Sequence, residues 1–239
     1  MRKDEEGERV MDPVTPPELQ KILDSMREKT ENRPIGPTSQ TDGDKQLLIK
    51  LFEQRGIFRR YWDCSFEKIE HRCVPQQVRD EYREVKAYAD NLKNYIRDGV
   101  GLILKGPVGT MKTSLAVAVL QKSLADGYGG LFVPMASLLD NIFTLKAKSV
   151  EEWANYEQRI RETGLLVLDD LGAEHTEGWV QTKVDAIISE RYNRQLPIIV
   201  TTNLSNDQLQ KTYAARVIDR LRSTAKMITF RGSSLRETA

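Results

Sequence analysis

Gly106-Pro107-Val108-Gly109-Thr110-Met111-Lys112-Thr113-Ser114 follows the short apolar run Gly101–Lys105 and leads into a helical pattern that reaches Leu124. Strand, glycine loop and helix in that order form the setting in which G-x-x-x-x-G-K-[ST] binds phosphate. The pattern is met at Gly106, Lys112 and Thr113, and its second glycine is replaced by Met111. Backbone N–H groups and a helix N-terminus favour an anion. The loop from Gly106 to Ser114 therefore points to a nucleoside triphosphate with Mg2+. Lys112 is placed to reach the β- and γ-phosphates, and Thr113 to give its hydroxyl oxygen to the metal. Met111 tests the backbone. If φ must be positive there, its Cβ costs of order 1 kcal/mol or more. If φ stays negative, the methionine is only a bulky flank. Gly109 still gives the loop one flexible point. Nucleotide binding is expected to survive, with weak hydrolysis.

A second signal lies at Leu165-Leu166-Val167-Leu168-Asp169-Asp170. The apolar residues bury a strand and place two carboxylates at its C-terminal end, where ligands sit in open α/β sheets. Asp169 is expected to hold Mg2+, directly or through water. Asp170 is expected to orient or deprotonate the attacking water. A single aspartate at a strand end is often only a turn or cap, so the tandem pair is the stronger signal. Asn203 ends the run Ile198–Thr202 and has two readings: it positions water beside the γ-phosphate, or it caps the next helix. Ser205 is the rival cap, so both readings stand at this level.

Around these signals, apolar runs alternate with amphipathic segments. Val78, Tyr82, Val85, Ala89, Leu92 and Ile96 mark one long helix, and further helices are predicted over residues 46–54, 114–124, 137–145, 150–161 and 179–194. Strands are predicted at 101–105, 131–134, 165–168, 198–200 and 227–230, with two short helices between the last two. The alternation gives an α/β fold with a parallel sheet covered on both faces. Residues 1–14 are highly charged without apolar period. Thr15-Pro16-Pro17-Glu18 opens a short helix carrying Leu19, Ile22, Leu23 and Met26 on one face. Residues 30–45 read as a polar linker, so the chain divides into an extension, 1–45, and a main domain, 46–239.

Lys and Arg number 36 against 35 Asp and Glu, a net charge of +1 in 239 residues. That balance argues against wholesale coating of nucleic acid but leaves room for a local basic face. Mean hydropathy is -0.51, and no apolar run suits a membrane span or a secretory signal. Two cysteines, Cys64 and Cys73, give no disulfide framework and fit a reducing, cytoplasmic setting. Cys64, His71 and Cys73 lack the paired spacing of a structural zinc site. His175 reads as a loop residue.

In their order, these pieces resemble the AAA+ ATPases of the bacterial helicase-loader family, of DnaC and DnaI type and related to the IstB-type transposition ATPases. The resemblance runs from about Gly56 to Arg236. It is carried by the lead-in Gly56-Ile57-Phe58-Arg59-Arg60-Tyr61-Trp62-Asp63-Cys64-Ser65-Phe66-Glu67, the Lys112 loop, the Leu165–Gly172 strand, Thr201-Thr202-Asn203, and the box Ala215-Arg216-Val217-Ile218-Asp219-Arg220-Leu221. It implies a P-loop NTPase core with ATP and Mg2+ as ligands and ATP hydrolysis as the reaction. It also implies that Arg220, with Arg216 one helical turn earlier, acts on the ATP of a neighbouring subunit in an ATP-dependent homo-oligomer. Arg236 falls where the family has a C-terminal arginine near the nucleotide. The N-terminal region lacks the cysteine cluster that some loaders use to contact a helicase.

The same resemblance implies single-stranded DNA and a replicative helicase as partners. Asn141, Phe143, Lys146 and Lys148 are candidate DNA contacts, an aromatic beside lysines suiting stacking and backbone neutralisation. They also read as core and solvated residues. The C-terminal stretch carries Lys211, Arg216, Arg220, Arg222, Lys226, Arg231 and Arg236 against few acids. The leading reading is an ATP-dependent DNA-replication accessory protein. The alternatives are a transposition ATPase binding duplex DNA and a transposase, and a nucleotide-gated binding module with negligible turnover.

Overall fold

The five apolar runs become one parallel sheet in a computed structural model that describes residues 42–172 and 178–236. The strands are β1 (Gly101–Lys105), β2 (Leu131–Pro134), β3 (Leu166–Asp169), β4 (Ile198–Thr202) and β5 (Ala225–Thr229), in the spatial order β2-β3-β4-β1-β5. β4 therefore lies between β1 and β3. Leu102 pairs with Ile199, and Val167 with the same Ile199 from the other side. All four pairings are parallel, so the C-terminal ends of the strands share one edge.

Side chains alternate across a pleated strand, and here the alternation divides two cores. Leu102, Leu104, Phe132, Val167, Ile199 and Ile228 face one cluster. Ile103, Leu131, Val133, Leu166, Leu168, Ile198 and Val200 face the other. The first face is covered by α3 (Arg79–Asp90), α4 (Leu92–Asp98) and α5 (Lys112–Ala125), behind α1 (Asp42–Gln54) and α2 (Phe66–His71). The second is covered by α6 (Met135–Lys148), α7 (Val150–Glu162), α8 (Gly178–Asn193), α9 (Asn206–Thr212) and α10 (Ala215–Thr224). α5, the helix opened by the glycine loop, is apolar nearly all round and lies in the centre of its layer. β5 is an edge strand with only Ile228 buried. Among the described residues no helix is long and apolar enough to cross a membrane.

Several boundaries differ from the sequence reading, with the largest changes in two helices of the first layer. The long helix breaks at Asn91, whose φ of -107° and ψ of 24° leave the helical well. Asn94 donates from Nδ2 to Asn91 Oδ1 at 2.6 Å, the kind of local side-chain bond with which asparagine competes against helix. Leu92 and Ile96 stay buried beyond the break, so the apolar face survives while the axis does not. The first described helix begins at Asp42, inside the segment read as linker. The predicted helix from Thr15 and His175 lie outside the described residues.

At Gly101 the backbones of β1 and β4 leave no room for a side chain. A Cβ there would stand 1.9 Å from Ile198 O on β4. Gly101→Ala is expected to lower stability by ~3 kcal/mol or more, measured by urea unfolding. An unchanged midpoint would contradict the β1–β4 packing.

Candidate nucleotide site

The phosphate loop leaves β1 at Lys105 and ends at Met111, the N-cap of α5, with φ 67° and ψ 7°. Of the two conformations open to Met111, the left-handed one is adopted. Its half-buried side chain packs on the cluster around α5, which offsets the strain. Lys112 is 6% exposed and turns back into the loop. Its Nζ donates to Gly106 O at 2.8 Å and Pro107 O at 2.6 Å. Burial pushes its amine below the usual lysine range, against the pull of Asp170 and Asp169. A buried ammonium held by two carbonyls beside two carboxylates is an arrangement that a phosphate group can enter and complete. Thr110 Oγ1 donates to Pro107 O and braces the loop from within.

β4 joins this loop to the acid pair. Thr201 Oγ1 donates to Asp169 Oδ1 at 2.6 Å and accepts from Asp170 N at 2.9 Å. Gly106 N donates to Thr202 O at 3.2 Å, and Leu171 N to Thr201 O at 2.8 Å. Thr202 Oγ1 donates to Leu171 O at 2.7 Å. Asp169 is 8% exposed. Burial raises its carboxyl above the ordinary range, the neighbouring Asp170 adds to that, and hydrogen bonds with Thr201 and Thr113 together with the charge of Lys112 oppose it. Thr113 and Asp169 are thus in contact, as a shared metal ion requires. Hard oxygen donors from a hydroxyl and a carboxylate, near a site for phosphates, fit Mg2+.

Asp170 sits in the left-handed region at φ 62°. Asn203 Nδ2 donates to Asp170 Oδ1 at 2.7 Å. The capping role falls to Ser205, which forms a reciprocal box with Gln208. The choice left open for Asn203 is therefore decided against capping: its amide faces the acid pair.

Two further segments close on the loop. The tail after β5 crosses it, with Leu235 N donating to Gly109 O at 3.0 Å and Gln77 Nε2 to Ser233 O at 3.2 Å. Gly109, at φ 80°, has no room for a Cβ, which would stand 2.1 Å from Ser234 Oγ. The charge of Arg236 is felt at Lys112 and at Tyr61, which places that arginine beside the site. The lead-in segment packs on α5, where Gln121 Nε2 donates to Tyr61 O and Trp62 O at 3.0 and 3.3 Å.

The arginine box lies elsewhere. Arg216 and Arg220 on α10 both face Asp185 of α8, Arg216 through Nε at 2.8 Å and Arg220 through Nη1 at 3.5 Å. Asn141 hydrogen-bonds Tyr156 of α7, so it faces a neighbouring helix. Lys148 is exposed. The side chains of Phe143 and Lys146 lie outside the described residues. Sequence reasoning missed the stitching by Thr201 and Thr202, although threonines at the end of a strand that also ends in a polar amide are a usable signal. It also missed the strap formed by residues 232–235, which only long-range packing creates.

The family described as IstB-like ATP binding protein matches residues 64–239. The chain is similar to the replicative helicase loader DnaC of Escherichia coli strain K12, with 24% identity covering 73% of this chain and 69% of that protein. It is similar to the replicative helicase loader DnaI of Bacillus subtilis strain 168, with 29% identity covering 62% of this chain and 51% of that protein. An insertion-sequence ATP-binding protein of Sinorhizobium fredii shares 27% identity over 80% of this chain and 81% of its own length. Among solved structures, the DnaC helicase loader matches with a TM-score of 0.64 and 24% identity, covering 73% of this chain and all (100%) of that chain. AMPPCP-bound DnaA from Aquifex aeolicus matches with 0.56 and 20% identity, covering 72% of this chain and 50% of that one. The five-stranded parallel sheet with its helices is thus the AAA+ P-loop NTPase fold.

Two outcomes follow from the geometry. An acid whose pKa is raised on folding binds its proton more tightly in the folded state, so its ionised form costs stability as pH rises. Asp169→Asn is therefore expected to raise the unfolding temperature of the nucleotide-free protein, the gain growing from about pH 4 upward. A loss of stability at neutral pH would contradict a carboxylate strained by burial. Met111 holds its left-handed turn through its own packing on the α5 cluster, so its strain is assigned to folding and not to binding. Met111→Gly is expected to leave ATP affinity within about twofold by calorimetry, and stability within ~1 kcal/mol, as strain relief and lost packing offset each other. A tenfold gain in affinity would show that binding itself strains the loop.

Proposed function

The chain belongs to the family of IstB-like ATP binding proteins, and we propose that it is an ATP-dependent DNA-replication accessory protein. It binds ATP with Mg2+, assembles on single-stranded DNA and helps place a replicative helicase. The observation that carries the ATP chemistry is the convergence of three strand ends. Lys112 and Thr113 follow β1, Asp169 and Asp170 end β3, and Asn203 follows β4, with Thr201 hydrogen-bonded into the acid pair.

The roles follow from position. Loop N–H groups from Gly106 to Ser114 and the N-terminus of α5 receive the phosphates. Lys112 leaves its carbonyls for the β- and γ-phosphate oxygens. Thr113 and Asp169 would hold Mg2+, which would supply neutralisation of charge on the phosphates. Asp170, steered by the Asn203 amide, orients a water in line with the γ-phosphorus. The water oxygen bonds to that phosphorus as the bond to the β–γ bridging oxygen breaks. ADP and phosphate leave, and the water's proton passes by way of the Asp170 carboxylate to the products. Arg220 completes the site in a neighbouring subunit, where a guanidinium stabilises charge on the leaving phosphates.

Two observations support the helicase assignment. The relatives include two replicative helicase loaders, and the fold is shared with a structure of one of them. A second reading has its own support: the insertion-sequence relative covers 80% of this chain, and that reading would replace single strands and helicase with duplex DNA and a transposase. A third, a nucleotide-gated module with negligible turnover, is favoured by the methionine at a glycine position of the loop.

Steady-state ATP hydrolysis, with Lys112→Ala as the blank, separates the three. Lys112→Ala is expected to abolish nucleotide binding, and unchanged affinity would overturn the site. The wild-type protein is expected to turn over above that blank, with a severalfold rise on single-stranded DNA and little on duplex. Stimulation by duplex alone favours the transposition reading. Binding without turnover under any condition favours the gated module.

A further inference from the structure

Asp185, Ser189 and Tyr192 recur at i, i+4 and i+7 along α8, which puts them on one face. Arg216 and Arg220 are one turn apart on α10 and meet that face. Arg216 reaches Asp185 Oδ2 with both Nε and Nη2. Arg220 Nη1 reaches Ser189 Oγ and Asp185 Oδ1. Ser189 Oγ donates to the same Asp185 Oδ1 at 2.9 Å. The ring of Tyr192 lies 5.6 Å from the Arg220 guanidinium carbon, within cation–π range. Asp185 is itself mostly covered, at 13% side-chain exposure, while Arg220 keeps 29% and Arg216 68%.

With the Arg216 end of the network open to solvent, its ion pair adds little to stability. The effect of the network is orientation. An arginine has many rotamers, and a side chain already ordered loses less entropy on meeting a ligand. Arg220 is held through Nη1 alone: among the described residues its Nε and Nη2 make no hydrogen bond, so two donors stay available while a third is fixed from behind. A latch that disabled the arginine would be expected to engage the whole guanidinium. The strong hydrogen bond from Arg216 holds the Asp185 carboxyl below the usual carboxylate range, so the charge in the cradle persists at neutral pH.

We propose that Asp185, with Ser189 and Tyr192, is a positioning residue that holds Arg220 in the rotamer it presents to ATP bound by a neighbouring subunit. This rests on the reading that Arg220 acts between subunits, and subunit mixing tests the two separately. Asp170→Asn subunits keep Asp185 and Arg220 but lack the water-orienting carboxylate. Asp185→Asn subunits keep a complete ATP site of their own.

DNA-stimulated hydrolysis is measured for each full-length variant alone and in equal mixtures. Asp185→Asn alone is expected to lose at least about tenfold in kcat with the KM for ATP within about twofold. Mixing it with Asp170→Asn is expected to recover turnover, because the second subunit brings an ordered arginine to the first one's ATP. Asp185→Glu is expected to recover part of the activity. Arg220→Ala mixed with Asp170→Asn is the reference pair. If that pair recovers but Asp185→Asn alone keeps full kcat, the cradle is refuted and the action between subunits stands. If the reference pair recovers but Asp185→Asn does not recover on mixing, Asp185 serves its own subunit and the proposal fails. If the reference pair does not recover, the action between subunits fails and takes the cradle with it.

Discussion

β4 lies between β1 and β3, so its tip is the one piece of chain within reach of both the phosphate loop and the acid pair. Two threonines occupy that tip. Thr201 bridges the Asp169 carboxylate and the Asp170 backbone with one hydroxyl. Thr202 accepts the Gly106 N–H through its carbonyl and ties Leu171 through its hydroxyl. Without these bonds, Asp169 would be a buried carboxylate opposed by its neighbour and supported only by Thr113 and Lys112. The distances among Lys112, Thr113, Asp169, Asp170 and Asn203 all depend on this strand holding its place.

The site carries strain that the rest of the fold supports. Met111 and Asp170 both adopt the left-handed conformation that side chains usually avoid, one at the N-cap of α5 and the other directly after β3. Such residues persist where the surroundings over-determine them. Around Met111 the support is the α5 packing layer and the tail strap over Gly109. Around Asp170 it is Thr201 and Asn203. A buried lysine and a buried aspartate, each shifted toward its neutral form by burial, add to the cost. Strain and buried charge thus gather at the C-terminal edge of the sheet.

What was legible in the sequence follows from locality. Runs such as Ile198–Thr202 and Leu166–Asp169 are apolar because both faces of a parallel strand are covered, and their positions could be read directly. The loop and the acid pair were legible for the same reason: each is contiguous. The order of strands was not, since no spacing says that β4 inserts between β1 and β3. Resemblance to a family implied the P-loop core, and pairing through Ile199 shows the order. Asn203 has two readings in the sequence, with Ser205 as rival cap, and the reciprocal box of Ser205 with Gln208 gives the cap to Ser205. Asn91 broke a helix whose apolar period ran straight through it. The strap joins Gln77 to Ser233 across 156 residues of sequence, beyond any local pattern.

The central claim is that three strand ends make one ATP site. The most direct measurement is a crystal structure with a non-hydrolysable ATP analogue and Mg2+. The expected result places the phosphates in the Gly106–Ser114 loop, with Lys112 Nζ moved from the Gly106 and Pro107 carbonyls to phosphate oxygens and the metal between Thr113 and Asp169. An analogue bound elsewhere, or a loop still closed by Lys112 at saturating analogue, would contradict it.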